Sequence, residues 1–399
     1  MNGFVLVAGT ADTKGAELAY VADVVRHRGL DAVIVDLGTT AHEPPPGAVT
    51  PDDVAGHHPD GADAVRSDDR GAAVAAMAVA FDAYVTSRSD VAGIIGIGGS
   101  GGTALITPAM QSLPVGIPKV MVSTVASGNV AAYVGAADIA MMYSITDLAG
   151  LNRISRVVLG NAANAVAGMA ANPVAPSADD LPAAGLTMFG VTTPLVTQLV
   201  EALAGRYDPL VFHATGTGGQ SMEKLVGSGL ITAVLDMTTT EVADLVVGGV
   251  FPAGSDRLDV VARTRVPYVG SCGALDMVNF GGRPSVPERF SDRLLHVHNP
   301  EVTLMRTTAE ENVACGQFIA VKLNACDGPV RFLLPEGGVS LLDAPGQAFW
   351  DPDADAALFA AIEEGVAPSN DRRVERVASN INDPEFAAAA MRAFDEVTQ

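Results

Sequence analysis

Residues 91–105, VAGIIGIGGSGGTAL, constrain the fold more tightly than any other stretch of the chain. A short apolar run, 94–97, breaks into Gly98, Gly99, Ser100, Gly101 and Gly102 and resumes as Thr103, Ala104 and Leu105. This pattern predicts a buried strand that enters a helix through a loop almost without side chains. Glycines at such a turn permit positive φ and let another group approach the backbone closely. The loop N–H groups and the N-terminus of the following helix can then converge on an anion. Ser100 and Thr103 add hydroxyls where phosphate oxygens would lie. The stretch reads as a phosphate cradle, and the alternative is a tight turn whose glycines serve helix–strand packing. Gly96, Gly98 and Gly101 fit G-x-G-x-x-G, but no carboxylate ends the next strand, 119–125, and no P-loop lysine follows the glycines.

Around this stretch the chain alternates strands and helices. A strand at 4–8 ends in Gly9, Thr10, Ala11, Asp12, Thr13 and Lys14, and Leu18, Val21, Val24 and Val25 then recur at helical spacing. A strand at 32–37, an excursion without period at 39–70, a helix at 71–88, strands at 119–125 and 139–144 and an Ala-rich helix at 152–171 follow. Residues 172–182 are rich in Pro and Asp and read as a linker. Beyond it come strands at 186–193, 210–214, 231–237, 267–271 and 330–334, with helices at 195–203, 239–247, 309–323, 354–365 and 384–397. A charged strand at 373–378 suits a sheet edge. The 399 residues exceed one ordinary domain. The expected fold is α/β, with two Rossmann-like three-layer units and mostly parallel sheets. The first unit spans 1–171, the linker 172–184 and the second unit 185–399. The strand at 210–214 opens into Gly216, Thr217, Gly218, Gly219, Gln220 and Ser221, an echo of the first loop, and the two loops are expected to face a shared interdomain cleft.

Composition narrows the partners. The formal net charge is −22 and no basic run interrupts it, which disfavours nucleic acid and anionic membrane surfaces. No stretch approaches the roughly 18 apolar residues needed to cross a bilayer. Cys272, Cys315 and Cys326 form no CxxC pair, which points to a reducing cytoplasm.

Four separated motifs carry a resemblance: GTADTKGAEL (9–18), GIGGSGGTAL (96–105), ATGTGGQSMEKL (214–225) and LPEGGVSLLDAPGQAFWDP (334–352). Together they resemble the ATP-binding N-terminal region of the tomato mosaic virus resistance protein and its stand-alone bacterial and fungal relatives. The resemblance covers essentially the whole chain. It implies a two-subdomain α/β protein that binds ATP and forms a homodimer, and it implies no settled reaction.

The candidate side chains divide by chemistry. The ammonium of Lys14 can reach a phosphate and the carboxylate of Asp12 can hold Mg²⁺, with Thr10 and Thr13 beside them; the alternative is an ordinary helix cap and a solvated lysine. His296 and His298 share one face of a strand but lack the third ligand that zinc wants. His213 reads as a core histidine or a proton shuttle. Cys272 sits at a strand end without a base to activate it, and Asp236 and Glu241 flank a Thr-rich turn. No catalytic residue is assigned. The expected function is binding of ATP with Mg²⁺, and an enzyme that activates or phosphorylates a small acid would fit it. An enzyme acting on an anionic metabolite without ATP and a regulatory interaction module are the alternatives.

Overall fold

A computed structural model describes residues 3–67, 69–175, 177 and 180–399. The chain divides into two units, Met1–Pro176 and Ser177–Gln399. Asp68 of the expected excursion and Pro176, Ala178 and Asp179 of the expected linker lie outside the described residues.

The first unit contains β1 (Phe4–Gly9), α1 (Ala11–His27), β2 (Asp31–Asp36), α2 (Pro51–Ala55), α3 (Arg70–Thr86), β3 (Val91–Gly98), α4 (Ser100–Ser112), β4 (Lys119–Ser123), α5 (Ala131–Val134), β5 (Ile139–Tyr143) and α6 (Arg153–Ala171). Its five strands are parallel and run in the order β2-β1-β3-β4-β5. Both faces of the sheet are covered, so its central strands read as continuous apolar runs. Val5, Val7, Ile95 and Ile97 pack under Leu18 and Val21 of α1 and Leu159 and Val166 of α6. On the other face Leu6, Ala8 and Ile94 meet Met77 and Phe81 of α3 and Ile106 and Met110 of α4. The helices after β1 and β3 therefore leave the sheet on opposite faces, the topology at which open α/β sheets place a ligand crevice at the carboxyl ends of neighbouring strands.

Gly96 belongs to this packing. A Cβ there would lie 2.5 Å from Met121 Sδ and 2.8 Å from Ile106 Cγ2. We expect Gly96→Val to overpack the α4 face and destabilise the first unit by about 1–3 kcal/mol. Urea denaturation checks this, and an unchanged midpoint refutes it.

The second unit contains β6 (Ala183–Met188), α7 (Thr193–Leu203), β7 (Asp208–His213), α8 (Thr217–Gly227), β8 (Ala233–Thr238), α9 (Thr240–Val247), α10 (Asp259–Thr264), β9 (Tyr268–Gly273), β10 (Met277–Phe280), β11 (Leu295–Asn299), β12 (Val302–Arg306), α11 (Ala309–Asn324), β13 (Val330–Pro335), α12 (Pro352–Gly365), β14 (Arg372–Val377) and α13 (Pro384–Val397). Six parallel strands run β14-β13-β9-β8-β6-β7, which repeats the strand order of the first unit and adds one strand. The charged strand β14 lies at the edge. The α/β, mostly parallel, Rossmann-like architecture is thus present in both units.

Two details differ from the expectation. The strand predicted over 186–193 ends at Met188, and Gly190–Thr192 forms a 3₁₀ turn instead. Inserted between β9 and β13 is a three-stranded antiparallel sheet, β10-β12-β11, with no counterpart among the expected strands. Among the described residues no helix is long and apolar enough to cross a membrane.

Two arginines organise the polar interior of this unit. Arg257, 2% exposed, donates to Glu241 at 2.6 Å, to Glu223 at 2.6 Å and to both oxygens of Asp236 at 2.9 and 2.7 Å. Tyr268 and Thr187 also donate to Asp236. Arg306 donates to Asp355 at 2.8 Å and lies 3.7 Å from Asp343, while Ser340 donates to Asp276. Asp276 and Asp343 are fully buried, and each keeps one carboxylate oxygen without a hydrogen-bond partner. Burial, reinforced by the charge of Asp343, pushes Asp276 up to about 7 and Asp355 up to about 8.

Candidate anion site

The loops after β1 and β3 meet at the crevice of the first unit. β1 and β3 are hydrogen-bonded neighbours, so the N-termini of α1 and α4 flank the same end of the sheet. Thr10 and Gly99 hold the N-cap positions, and neither of these two residues caps its helix through its own side chain. The first turn of α4 holds no acidic residue, whereas at α1 Asp36 accepts from the Ala11 amide and Asp12 lies in the first turn, so the partial positive charge left for an anion is that of α4.

The glycines at this turn have different reasons. A Cβ on Gly98 would lie 2.8 Å from the Gly102 backbone, so Gly98 lets the first helical turn close on the strand. Around Gly99 the nearest atom is Thr124 Oγ1 at 3.6 Å, and around Gly102 it is the Ile97 carbonyl oxygen at 3.6 Å. Gly101 is exposed, and a Cβ there would meet nothing within 4 Å. Internal packing does not require a glycine at 101, although a glycine in a helix costs about 0.5–1 kcal/mol relative to alanine.

The candidate side chains take distinct places. Ser100 is exposed beside Gly101. Thr103 is fully buried, and its hydroxyl donates to the Gly99 carbonyl at 2.7 Å and pairs with Ser123 Oγ at 2.6 Å. It braces the turn and offers no hydroxyl to a ligand, contrary to the expectation. Lys14 donates to the Leu148 carbonyl at 2.6 Å, which engages one of the three N–H groups of its ammonium. The hydroxyls of Thr10 and Thr13 lie 2.9 Å apart. Asp12 accepts from Thr40 through one oxygen, and its other oxygen is buried without a partner. That orphaned oxygen is the feature of the site that best suits a cation such as Mg²⁺.

Asp36, at the end of β2, was not singled out in the sequence. It is fully buried and accepts from the Ala11 amide at 3.0 Å and the Gly38 amide at 2.9 Å, while His42 Nε2 lies 2.6 Å from its second oxygen. It pins the start of α1 to the end of β2. His42 titrates above its ordinary range, chiefly through its bond to the Thr40 carbonyl and also through Asp36, with burial opposing. The signal was present: an acid closes the strand that follows the first glycine turn, the place a dinucleotide fold keeps for one.

The second glycine-rich segment is a different object. Residues from Thr217 onward are already helix α8. The Gly216 amide donates to Glu241 Oε2 at 2.6 Å, and a Cβ on Gly219 would lie 2.2 Å from Glu241 Oε1. The carboxylate of Glu241 therefore occupies the anion position of this helix start. Gly218 is equally structural, since a Cβ there would overlap the His213 carbonyl oxygen. Ser221 donates to Thr217 within the helix, and Gln220 lies on its exposed side. This loop also follows β7, an edge strand, whereas the first loop follows β3 at the crevice. The echo in sequence does not correspond to an equivalent place in the two units.

Other candidates have structural surroundings. His213 is not a core residue: it ends β7 on the exposed side, packs on the ring of Phe189 at 5.1 Å, and partial desolvation there lowers its pKa. His296 meets the ring of Phe349, whereas His298 lines a cavity of about 220 Å³ with His213 and Phe251. Among the described residues no three His, Cys, Asp or Glu side chains are gathered to hold a metal ion. The three cysteines are free and buried. Burial pushes Cys315 up to about 12 and Cys326 up to about 11, and it moves Cys272 further still, so none is a thiolate nucleophile at neutral pH. Asp236 and Glu241 belong to the Arg257 network.

Comparison with known proteins gives a consistent picture over the whole chain. Residues 3–175 match the N-terminal domain and residues 181–398 the C-terminal domain of an uncharacterised protein family, UPF0261. A UPF0261 protein of Mesorhizobium japonicum is 58% identical over 98% of both chains. One from Clostridium tetani is 44% identical over 98% of this chain and 97% of its own. The ToMV resistance protein Tm-1 of Solanum lycopersicum is 42% identical over 99% of this chain, which spans 56% of the tomato protein.

Proposed function

The chain belongs to the uncharacterised protein family UPF0261, and on that premise we propose that its first unit binds the phosphates of ATP at the crevice between α1 and α4. The observation that carries this reading is Gly101, an exposed glycine in an uncapped first helical turn that internal packing does not require. A side chain there would stand where a phosphate approaches the backbone amides of α4. Each charge-assisted hydrogen bond to such an anion contributes about 1.5–3 kcal/mol. Three or four of them, after losses to ordering, support micromolar affinity, about −8 kcal/mol. Asp12 is the residue that would hold an accompanying Mg²⁺, through its unpartnered oxygen. Gly216 to Ser221 are left out of this site because Glu241 already serves their amides.

The proposed setting is the cytoplasm, in keeping with three free buried thiols. A homodimer rests on the family resemblance and is read by gel filtration. The affinity for nucleotide is common to an ATP-dependent enzyme and to a regulatory module, and turnover assays with Mg²⁺ separate the two.

The test is calorimetric titration of Mg-ATP into the wild type and Gly101→Glu. The glutamate places a carboxylate in open space, so folding is retained while the anion is repelled. We expect affinity to fall at least 10-fold, about 1.4 kcal/mol. Equal affinity of the variant would refute the site. Preference for a phosphorylated metabolite over ATP would favour the second reading.

A further inference from the structure

Beside the anion site lies a cavity of about 520 Å³ in the first unit, with the exposed Thr40 and Ala41 in its lining. Its volume falls within the roughly 300–1,000 Å³ of ordinary small-molecule pockets. We infer that this cavity seats the adenine and ribose of the nucleotide whose phosphates lie at α4, an inference that rests on the phosphate reading above.

Position is the first argument. Thr40, at the mouth, donates to Asp12 of the α1 start, and the Leu37 amide donates to the Gly9 carbonyl at 2.9 Å. The cradle and the cavity thus share one rim. β3 and β2 are separated by two strand spacings, about 10 Å, a span that a polyphosphate and a ribose cover. A ligand held by phosphate at α4 and extended along the strand ends across β1 arrives at this mouth.

Chemistry is the second. Ala55, Val65 and Met77 give the cavity an apolar floor. Such a floor suits a planar ring, and a thioether packs well against one. Asp52 stands at the wall, 3.5 Å from Arg66, and its carboxylate can accept from an exocyclic amino group. That favours adenine over uracil, which presents carbonyls there.

The third argument is rigidity. In dinucleotide folds the acid that ends the second strand takes the ribose hydroxyls. Here the oxygens of Asp36 are engaged by Ala11, Gly38 and His42, so the sugar falls to the Thr39 hydroxyl and to the acceptor lone pair of Thr40, whose proton goes to Asp12. His42 bridges Asp36 and the Thr40 carbonyl, at 2.6 and 2.8 Å, and fixes the mouth in place. Gly38 allows this closure, because a Cβ would lie 2.5 Å from the His42 ring. A pre-ordered rim loses little entropy when a ligand enters.

The experiment is titration of the full chain with Mg-ATP, Mg-UTP and Mg-tripolyphosphate, in the wild type and in Ala41→Trp. Ala41 is exposed and lines the mouth, so the indole blocks entry without entering the core. We expect the wild type to bind ATP at least 10-fold more tightly than UTP or tripolyphosphate. In Ala41→Trp the ATP advantage disappears while tripolyphosphate binds as before, which also reports that the variant is folded. Equal wild-type affinity for ATP and tripolyphosphate, equal affinity for ATP and UTP, or an ATP affinity unchanged by Ala41→Trp overturns the inference and leaves the phosphate site standing. Loss of binding by all three ligands in the wild type refutes both.

Discussion

Arg257→Met is expected to unfold the second unit at neutral pH or bring it to the edge of unfolding. The guanidinium is the shared cation of Glu223, Asp236 and Glu241, carried by α8, β8 and α9, and all three carboxylates are largely or wholly buried with it. Removing one partner of a buried ion pair typically costs about 3–5 kcal/mol, because the remaining charge is stranded in a poor solvent. An ordinary domain has about 5–15 kcal/mol of stability in all. Burial already pushes Glu223 and Glu241 above the usual carboxylate range while Arg257 pulls them down. Without the arginine they bind protons more readily, so acidification should restore part of the lost stability. Arg257→Lys should restore less than the full amount at pH 7, since one ammonium cannot reproduce the planar fork that reaches three carboxylates. Trp350, the single tryptophan of the chain, lies in this unit and gives the fluorescence readout. A urea midpoint equal to wild type in Arg257→Met would refute the network's role.

The second large effect is on pH. Asp276 and Asp355, held up to about 7 and about 8, titrate in the unfolded chain near 3.8. The native state therefore binds more protons than the unfolded state between these limits. The stability from each group is fully present below the unfolded value and disappears as pH rises through the folded one. The second unit should thus weaken from pH 6 to pH 9, by a few kcal/mol at about 1.4 kcal/mol per pKa unit. The cause is plain: Arg306 pairs with Asp355, lies 3.7 Å from Asp343 and acts on Asp276 only through its charge, and burial disfavours charging all three. Asp355→Asn imitates the protonated acid and can donate to Asp343. It should match the wild type at pH 6 and exceed it at pH 9 in urea midpoint. If both proteins lose stability equally between these pH values, Asp355 is not the titrating group.

Much of the architecture was legible because parallel α/β sheets announce themselves. Strands such as β1 and β3 are buried on both faces and appear as unbroken apolar runs, and the helices between them keep a 3.6-residue period. The charged β14 could be assigned to an edge from its residues alone. The small sheet β10-β12-β11 was not legible. Its strands are four or five residues long and carry no period long enough to read. The candidate site was legible only as chemistry. Glycines at 98–102 announced a close backbone approach, but the sequence could not separate Gly98, which closes a turn, from Gly101, which packs against nothing. Nor could it reveal that Thr103 and Lys14 are engaged internally, or that Glu241, some 25 residues along the chain from Gly216, fills the second loop. Such facts depend on which strands are neighbours, and strand order is absent from local pattern.

Glu241 has a consequence for proteolysis of the chain. The second unit carries a permanent counter-ion for its helix start, so its folding is indifferent to the supply of small anions. In the first unit the start of α4 holds no acidic residue in its first turn, and a ligand bound there only by the native form would add RT ln(1 + [L]/Kd) to the unit's stability. On the proposed binding, limited proteolysis without Mg-ATP should open the Met1–Pro176 side first, and added Mg-ATP should protect it.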